Sequence, residues 1–161
     1  MSVLLTASLS ATLPLSAASH VDVVKMRTEN QVNPLGIGTS TPRFSWQITS
    51  DRKGVVQTSY QILVASSREK LDRNEADLWD SGERNSDEQL WIPYQGKALL
   101  SGAQAYWKVR ITTNKGKSEW TEPQLFTIGL LGETKWSGTW IGLEDLQPGE
   151  QKGMHTRLAA R

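Results

Sequence analysis

The 161-residue chain contains no cysteine. That absence excludes a disulfide framework, a cysteine nucleophile and any zinc site built on thiolates. Histidine is nearly as scarce, with His20 and His155 placed one near each end. With so few imidazoles, neither a histidine metal cluster nor a Ser-His-Asp arrangement is expected, and neither is a metal or cofactor. No sign of charge prevails: 18 basic residues face 17 acidic ones, for a net charge of +1. Without a block of like charge, nothing points to nucleic acid or to an anionic membrane surface. No apolar run reaches the ~20 residues that a membrane-spanning helix needs. P-loop, G-x-G-x-x-G and N-x-S/T patterns are all missing.

What the chain does have is tryptophan, seven residues of it against two phenylalanines. Either the core is built on indoles, or some of those rings face outward towards carbohydrate or a protein partner. Hydrophobic residues make up 37% and charged residues 22%, an ordinary globular mixture. A chain of this length is expected to enclose one domain with a proper core.

The opening "MSVLLTASLSATLPLSAASH" carries no Lys, Arg, Asp or Glu, and Ser16-Ala17-Ala18 meets the small-residue rule for signal cleavage. The first basic residue is Lys25, whereas an export signal starts with one. Residues 1–19 are therefore expected to be a signal peptide or a flexible leader, the former implying a periplasmic or secreted protein.

The middle reads as β structure. "RFSWQIT" puts Phe44, Trp46 and Ile48 on one face, and "SYQILVASS" does so for Tyr60, Ile62 and Val64, with Leu63 and Ala65 opposite. "QLWIPY" aligns Leu90, Ile92 and Tyr94; "QLFTIG" adds Phe126 and Ile128. The cleanest alternation is "AYWKVRITT", with Trp107, Val109 and Ile111 set against Lys108, Arg110 and Thr112. Period-2 patterning means half-buried strands. Turn signals such as Asn33-Pro34, Ser81-Gly82 and Asn114-Lys115-Gly116 lie between them. A short helix is expected near "SSREKLDRNEADLW", with Ser66 or Ser67 as N-cap and Glu69 in the first turn. The fold class is all-β: an antiparallel sandwich of the immunoglobulin or fibronectin type III kind over residues 20–131, with Trp46 and Trp107 inside.

The ordered series "RTENQVNPLGIGTSTPRFSWQ", "YQILVASS", "DLWDSGE", "YQGKALLSGAQAYWKVR" and "SEWTEPQLFTIGLL" resembles the N-terminal β-sandwich of bacterial α-L-rhamnosidases from Arg27 to Ile141. In that family "KWSGTWIG" is similar to the opening of a second β domain, which assigns residues 132–161, with Trp136 and Trp140, to a linker and a truncated domain start. The resemblance implies a parent enzyme that removes terminal α-linked L-rhamnose by inverting hydrolysis, using two carboxylates on a barrel farther along the polypeptide. No catalytic residue carries over, because no matching segment exists here.

Asp77, Asp80, Glu83, Asp87 and Glu88 gather between strands and read as solvated surface charge, since a catalytic acid with a raised pKa needs a buried or apolar setting. Two roles then compete. One is a non-catalytic accessory domain that packs against the downstream domains of the same polypeptide. The other is a carbohydrate-binding module that stacks sugars on exposed indoles, with Trp79, Trp91 and Trp120 as candidates for contact with sugar or with another domain. A free-standing adhesion domain is a third reading, on fold analogy alone. Two of these rings in one shallow groove would favour sugar; rings on separate faces would favour packing.

Overall fold

The computed structural model describes residues 21–132. The expectations for the leader at 1–19 and for Trp136 and Trp140 lie outside those residues. Among the described residues no helix is long and apolar enough to cross a membrane.

The strands are β1 (Val21–Thr28), β2 (Arg43–Ser50), β3 (Gln57–Ala65), β4 (Trp79–Asp80), β5 (Arg84–Asn85), β6 (Ile92–Pro93), β7 (Gln104–Thr113), β8 (Gly116–Lys117) and β9 (Gln124–Thr127). A five-residue helix, α1 (Arg68–Asp72), follows β3. All pairings between named strands are antiparallel. One sheet has the order β1-β2-β6; the other runs β4-β3-β7-β8, with β5 also on β3 and β9 also on β7. The architecture is the expected all-β sandwich.

The inward residues follow the alternation. Phe44 and Trp46 of β2 face Tyr60, Ile62 and Val64 of β3 and Ala105, Trp107, Val109 and Ile111 of β7, all buried in one core. Phe44 is the hub. Its ring stacks on Trp107 at 4.4 Å and meets Phe126 at 5.8 Å, Trp79 at 6.3 Å and Tyr94 at 6.5 Å. Aromatic pairs at such separations add ~0.5–1.5 kcal/mol each beyond their buried area. Trp46 packs on Tyr60 and donates its Nε1 proton to Gln57 Oε1 at 3.1 Å. The Gln57 amide nitrogen in turn donates to Ser86 O and Glu88 O, so this buried amide is satisfied on both sides.

The helix forms where expected. Ser67 is its N-cap, accepting from Lys70 N, and Glu69 sits in the first turn. Five residues do not make an autonomous helix in water, so packing must hold it. Leu71 supplies that, fully buried against Leu63 and Ala65 on the outer face of the second sheet.

One strand, β1, is not expected from the alternation, and two strand-level expectations change. β1 shows no simple alternation, because a register shift between Val24 and Arg27, with Lys25 at φ 50°, moves the inward phase from Val21 to Met26 and Thr28. Leu90 does not join Ile92 and Tyr94 inside. Trp91 has φ 58°, which breaks the pleat and leaves Leu90 64% exposed. Trp79, read as a surface ring in a polar turn, is only 9% exposed. It lies on β4, opposite Val64, and meets Tyr94 at 5.4 Å.

Trp107→Ala is expected to cost ~3–5 kcal/mol, and Trp79→Ala to fall in the same range, because both rings fill the core. Gly96→Ala is expected to cost ~1–3 kcal/mol through overpacking. A Cβ there would stand 2.4 Å from both Leu78 O and Trp79 Cβ. Urea midpoints of the three variants check this; a wild-type midpoint for Trp79→Ala would contradict its burial.

Candidate functional site

The three candidate tryptophans do not converge. Trp79 is in the core and offers no open face. Trp91, 47% exposed, immediately precedes β6 in the three-stranded sheet. Trp120, half-buried, packs with Leu63, Ala65 and Leu71 on the outer face of the other sheet. Trp91 and Trp120 therefore lie on opposite sides of the sandwich, and no two rings share a groove.

Each outer ring is covered by a cation. The Arg43 guanidinium carbon stands 4.2 Å from the centre of the Trp91 ring. The same guanidinium grips Glu29 with both arms, Nε to Oε1 at 3.1 Å and a terminal nitrogen to Oε2 at 2.7 Å. These bonds from Arg43, opposed by some burial, hold the Glu29 carboxyl below the usual range. The backbone at Trp91 is anchored by its N–H, which donates to Ser45 Oγ at 3.0 Å. A non-glycine residue with positive φ persists only where such contacts over-determine it.

Around Trp120 the cations come from β7. Arg110 lies 4.4 Å from the ring centre and Lys108 Nζ 5.1 Å from it. Lys108 is itself buried; Nζ donates to Leu71 O, near the end of α1, and to Asn74 Oδ1. Burial pushes its pKa down, partly offset by Asp72. A lysine at the end of a helix satisfies carbonyls that have no intrahelical donor. Trp120 and Lys108 thus fasten the helix to the sheet.

An open groove of about 670 Å³ adjoins Arg43 and Glu29 and is also lined by Gln31, Thr39 and Thr41. Its one carboxylate, Glu29, is ion-paired and lowered in pKa. That is the opposite of a general acid, and a glycosidase needs a second carboxyl across the scissile bond.

Three of the five acidic residues between strands make defined hydrogen bonds. Asp77 accepts from Ser66 N at 2.9 Å, Ser66 Oγ at 2.7 Å and Lys70 Nζ at 2.6 Å, tying the chain ahead of β4 to the start of α1. Asp80 accepts from Gln61 Nε2 and Gly82 N. Glu83 bridges Ser59 of β3 and Thr112 of β7. Asp87 and Glu88 are exposed.

A family model described as the Rha78A-like N-terminal immunoglobulin domain matches residues 23–132. The chain belongs to that family. An α-L-rhamnosidase of Formosa agariphila is 39% identical over 127 residues, covering 78% of this chain and 13% of that protein. One from Streptomyces avermitilis is 37% identical over 124 residues, covering 76% and 12% respectively. Among solved structures, the S. avermitilis enzyme complexed with L-rhamnose superposes with a TM-score of 0.70 at 36% identity, over 76% of this chain and 12% of that one. The α-L-rhamnosidase of Dictyoglumus thermophilum gives 0.69 at 35% identity, over 76% and 14%. This immunoglobulin-like domain therefore spans only a small N-terminal share of the rhamnosidases it matches, as the motif series in the sequence implies.

Arg43, Glu29 and Lys108 were not legible as contacts of the candidate rings. Lys108 and Arg110 share the outward phase of β7, but the partner ring comes from a loop after β8, which no periodicity announces.

Asp77 yields a pH test. Burial raises its pKa, but the bonds from Lys70 and Ser66 outweigh that and bring it from 3.8 down to about 2. A depressed carboxylate contributes stability above its unfolded pKa and loses it as pH falls through the folded value. For a group this close to solvent the contribution is on the order of 1–2 kcal/mol. Asp77→Asn is expected to unfold at lower urea than wild type at neutral pH. The gap between the two midpoints should close as the pH falls from about 4 towards 2. A gap that stays constant in acid would remove this role from Asp77.

Proposed function

We propose that this chain is a non-catalytic accessory domain of an α-L-rhamnosidase-type glycoside hydrolase, packing against the other domains of the polypeptide. In this reading residues 1–19 form an export leader and residues 132–161 lead from the sandwich into a second β domain. The enzyme it serves removes terminal α-linked L-rhamnose from glycans or glycosides. The observation that carries the proposal is the family match over residues 23–132, set beside relatives of which the chain spans only 12% to 14%. The separation of Trp91 and Trp120 onto opposite sides, each ring under a cation, also argues for packing over a sugar platform. The groove beside Arg43 holds a single carboxylate, Glu29, and that one is ion-paired.

The chain as purified is expected to release no aryl alcohol from an aryl α-L-rhamnoside above a buffer blank. Titration with L-rhamnose should leave its tryptophan fluorescence unshifted. Saturable turnover that co-purifies with the protein would overturn the non-catalytic assignment. A saturable fluorescence change with sugar, lost in Trp91→Ala, would favour the binding-module alternative instead.

A further inference from the structure

One end of the sandwich stands apart chemically. In a chain that is 22% charged, residues 31–42, 98–103 and 127–132 contain no Asp, Glu, Lys, Arg or His. These three stretches meet. Ile37 N donates to Thr127 O and Gly129 N to Ile37 O, while Ile128 N donates to Ala103 O and Gly102 N to Ile128 O. Leu131 N donates to Ser101 Oγ at 2.9 Å. Gly36 and Gly129 are in backbone contact, since a Cβ on Gly129 would stand 2.9 Å from Gly36 O.

Around this mesh three leucines point outward: Leu35 at 76% exposure, Leu100 at 73% and Leu130 at 58%. Leu35 and Leu130 each adjoin one member of the Gly36–Gly129 contact. Leu100 is two residues before Gly102, which bonds to Ile128. Leu63, Leu71 and Leu99, by contrast, are buried, and a grouped exposed apolar patch marks an interaction surface.

We infer that this leucine patch is the docking surface of the domain, and that its occupant is the segment "ETKWSGTWI", residues 133–141. The inference rests on the packing reading above and names its surface. The last described residue, Gly132, directly follows Leu131, whose N–H bonds to Ser101 within the patch. At a reach of ~3.3–3.6 Å per residue, Trp136 falls within about 14 Å of Gly132 and Trp140 within about 28 Å. Two indoles and Ile141 follow a surface that presents three leucines, and the charged groups that share a groove with Leu35 (Glu29 and Arg43) are paired with each other. The charges of the segment, Glu133 and Lys135, come before the first indole.

Amide hydrogen exchange of the full 161-residue chain, read by mass spectrometry, tests this. Leu100→Asp and Leu130→Asp are expected to raise exchange across residues 133–141 by about tenfold, as an open population does when its contacts are lost. Leu90→Asp, an equally exposed leucine elsewhere, should leave that exchange unchanged. Exchange across β7 in the same run reports whether each variant keeps its fold. Trp136→Asp is the reciprocal variant and should raise exchange across residues 98–103 to a similar degree. Identical exchange of residues 133–141 in wild type and both patch variants, with no response of 98–103 to Trp136→Asp, overturns the docking. Protection that disappears on dilution would make a second copy the occupant and overturn it too. No sugar enters the measurement, so its failure leaves the non-catalytic assignment standing, and rhamnoside turnover would do the reverse.

Discussion

Everything in this sandwich hangs on the ring of Phe44. It lies on β2, in the three-stranded sheet, yet its nearest aromatic neighbour is Trp107 of β7, in the opposite sheet. Phe126 of β9, Trp79 of β4 and Tyr94 after β6 complete the shell around it. One side chain thus joins residues from five separate segments, and most of the strands that supply them are short. A two-residue strand such as β4 or β6 has too few ladder hydrogen bonds to hold itself. The aromatic shell sets where those segments lie, and the ladders follow. Tyr94 adds a polar tie, its hydroxyl donating to Lys97 O at 2.7 Å, and Gly96 exists where it does because any side chain would strike this cluster.

The outer faces are finished differently. The six-stranded sheet is covered by α1 and Trp120, with the buried amine of Lys108 as the pin between helix and sheet. The three-stranded sheet carries instead the flat Glu29–Arg43–Trp91 stack. In both places an indole is spent on holding a cation. That leaves few open aromatic faces for a ligand, and it suits a domain whose contacts are with protein.

The strands that run straight were readable. In β2, β3 and β7 the alternation names the inward residues, because an unbroken pleat converts spacing directly into side. Where the backbone leaves the pleat, the pattern misleads. The register shift in β1 hid that strand from periodicity, and the positive φ of Trp91 turned Leu90 outward. Trp79 was misjudged for another reason. Its neighbours Asp77, Asp80 and Gly82 have the composition of a surface turn, but a two-residue pairing with β3 suffices to point the ring inward. The candidate site was less legible than the fold. The family resemblance was carried by ordered motifs, but the cations over Trp91 and Trp120 depend on which strands lie side by side. The exposed leucines at the exit belong to three separate loops and gather only after folding.

The exit strand has a mechanical consequence. Between Phe126 and Leu131 the chain is gripped on two sides: by Ile37, through a parallel bridge and the bonds at Thr127 and Gly129, and by Gly102 and Ala103. Tension arriving from beyond Gly132 would not peel β9 from β7 one bond at a time. It would load both sets of bonds together, in shear, and pass into both sheets through the loop ahead of β2 and the turn ahead of β7. A domain fastened this way transmits force as a rigid strut, so whatever is attached beyond Gly132 is held by the body of the sandwich and not by a frayed edge.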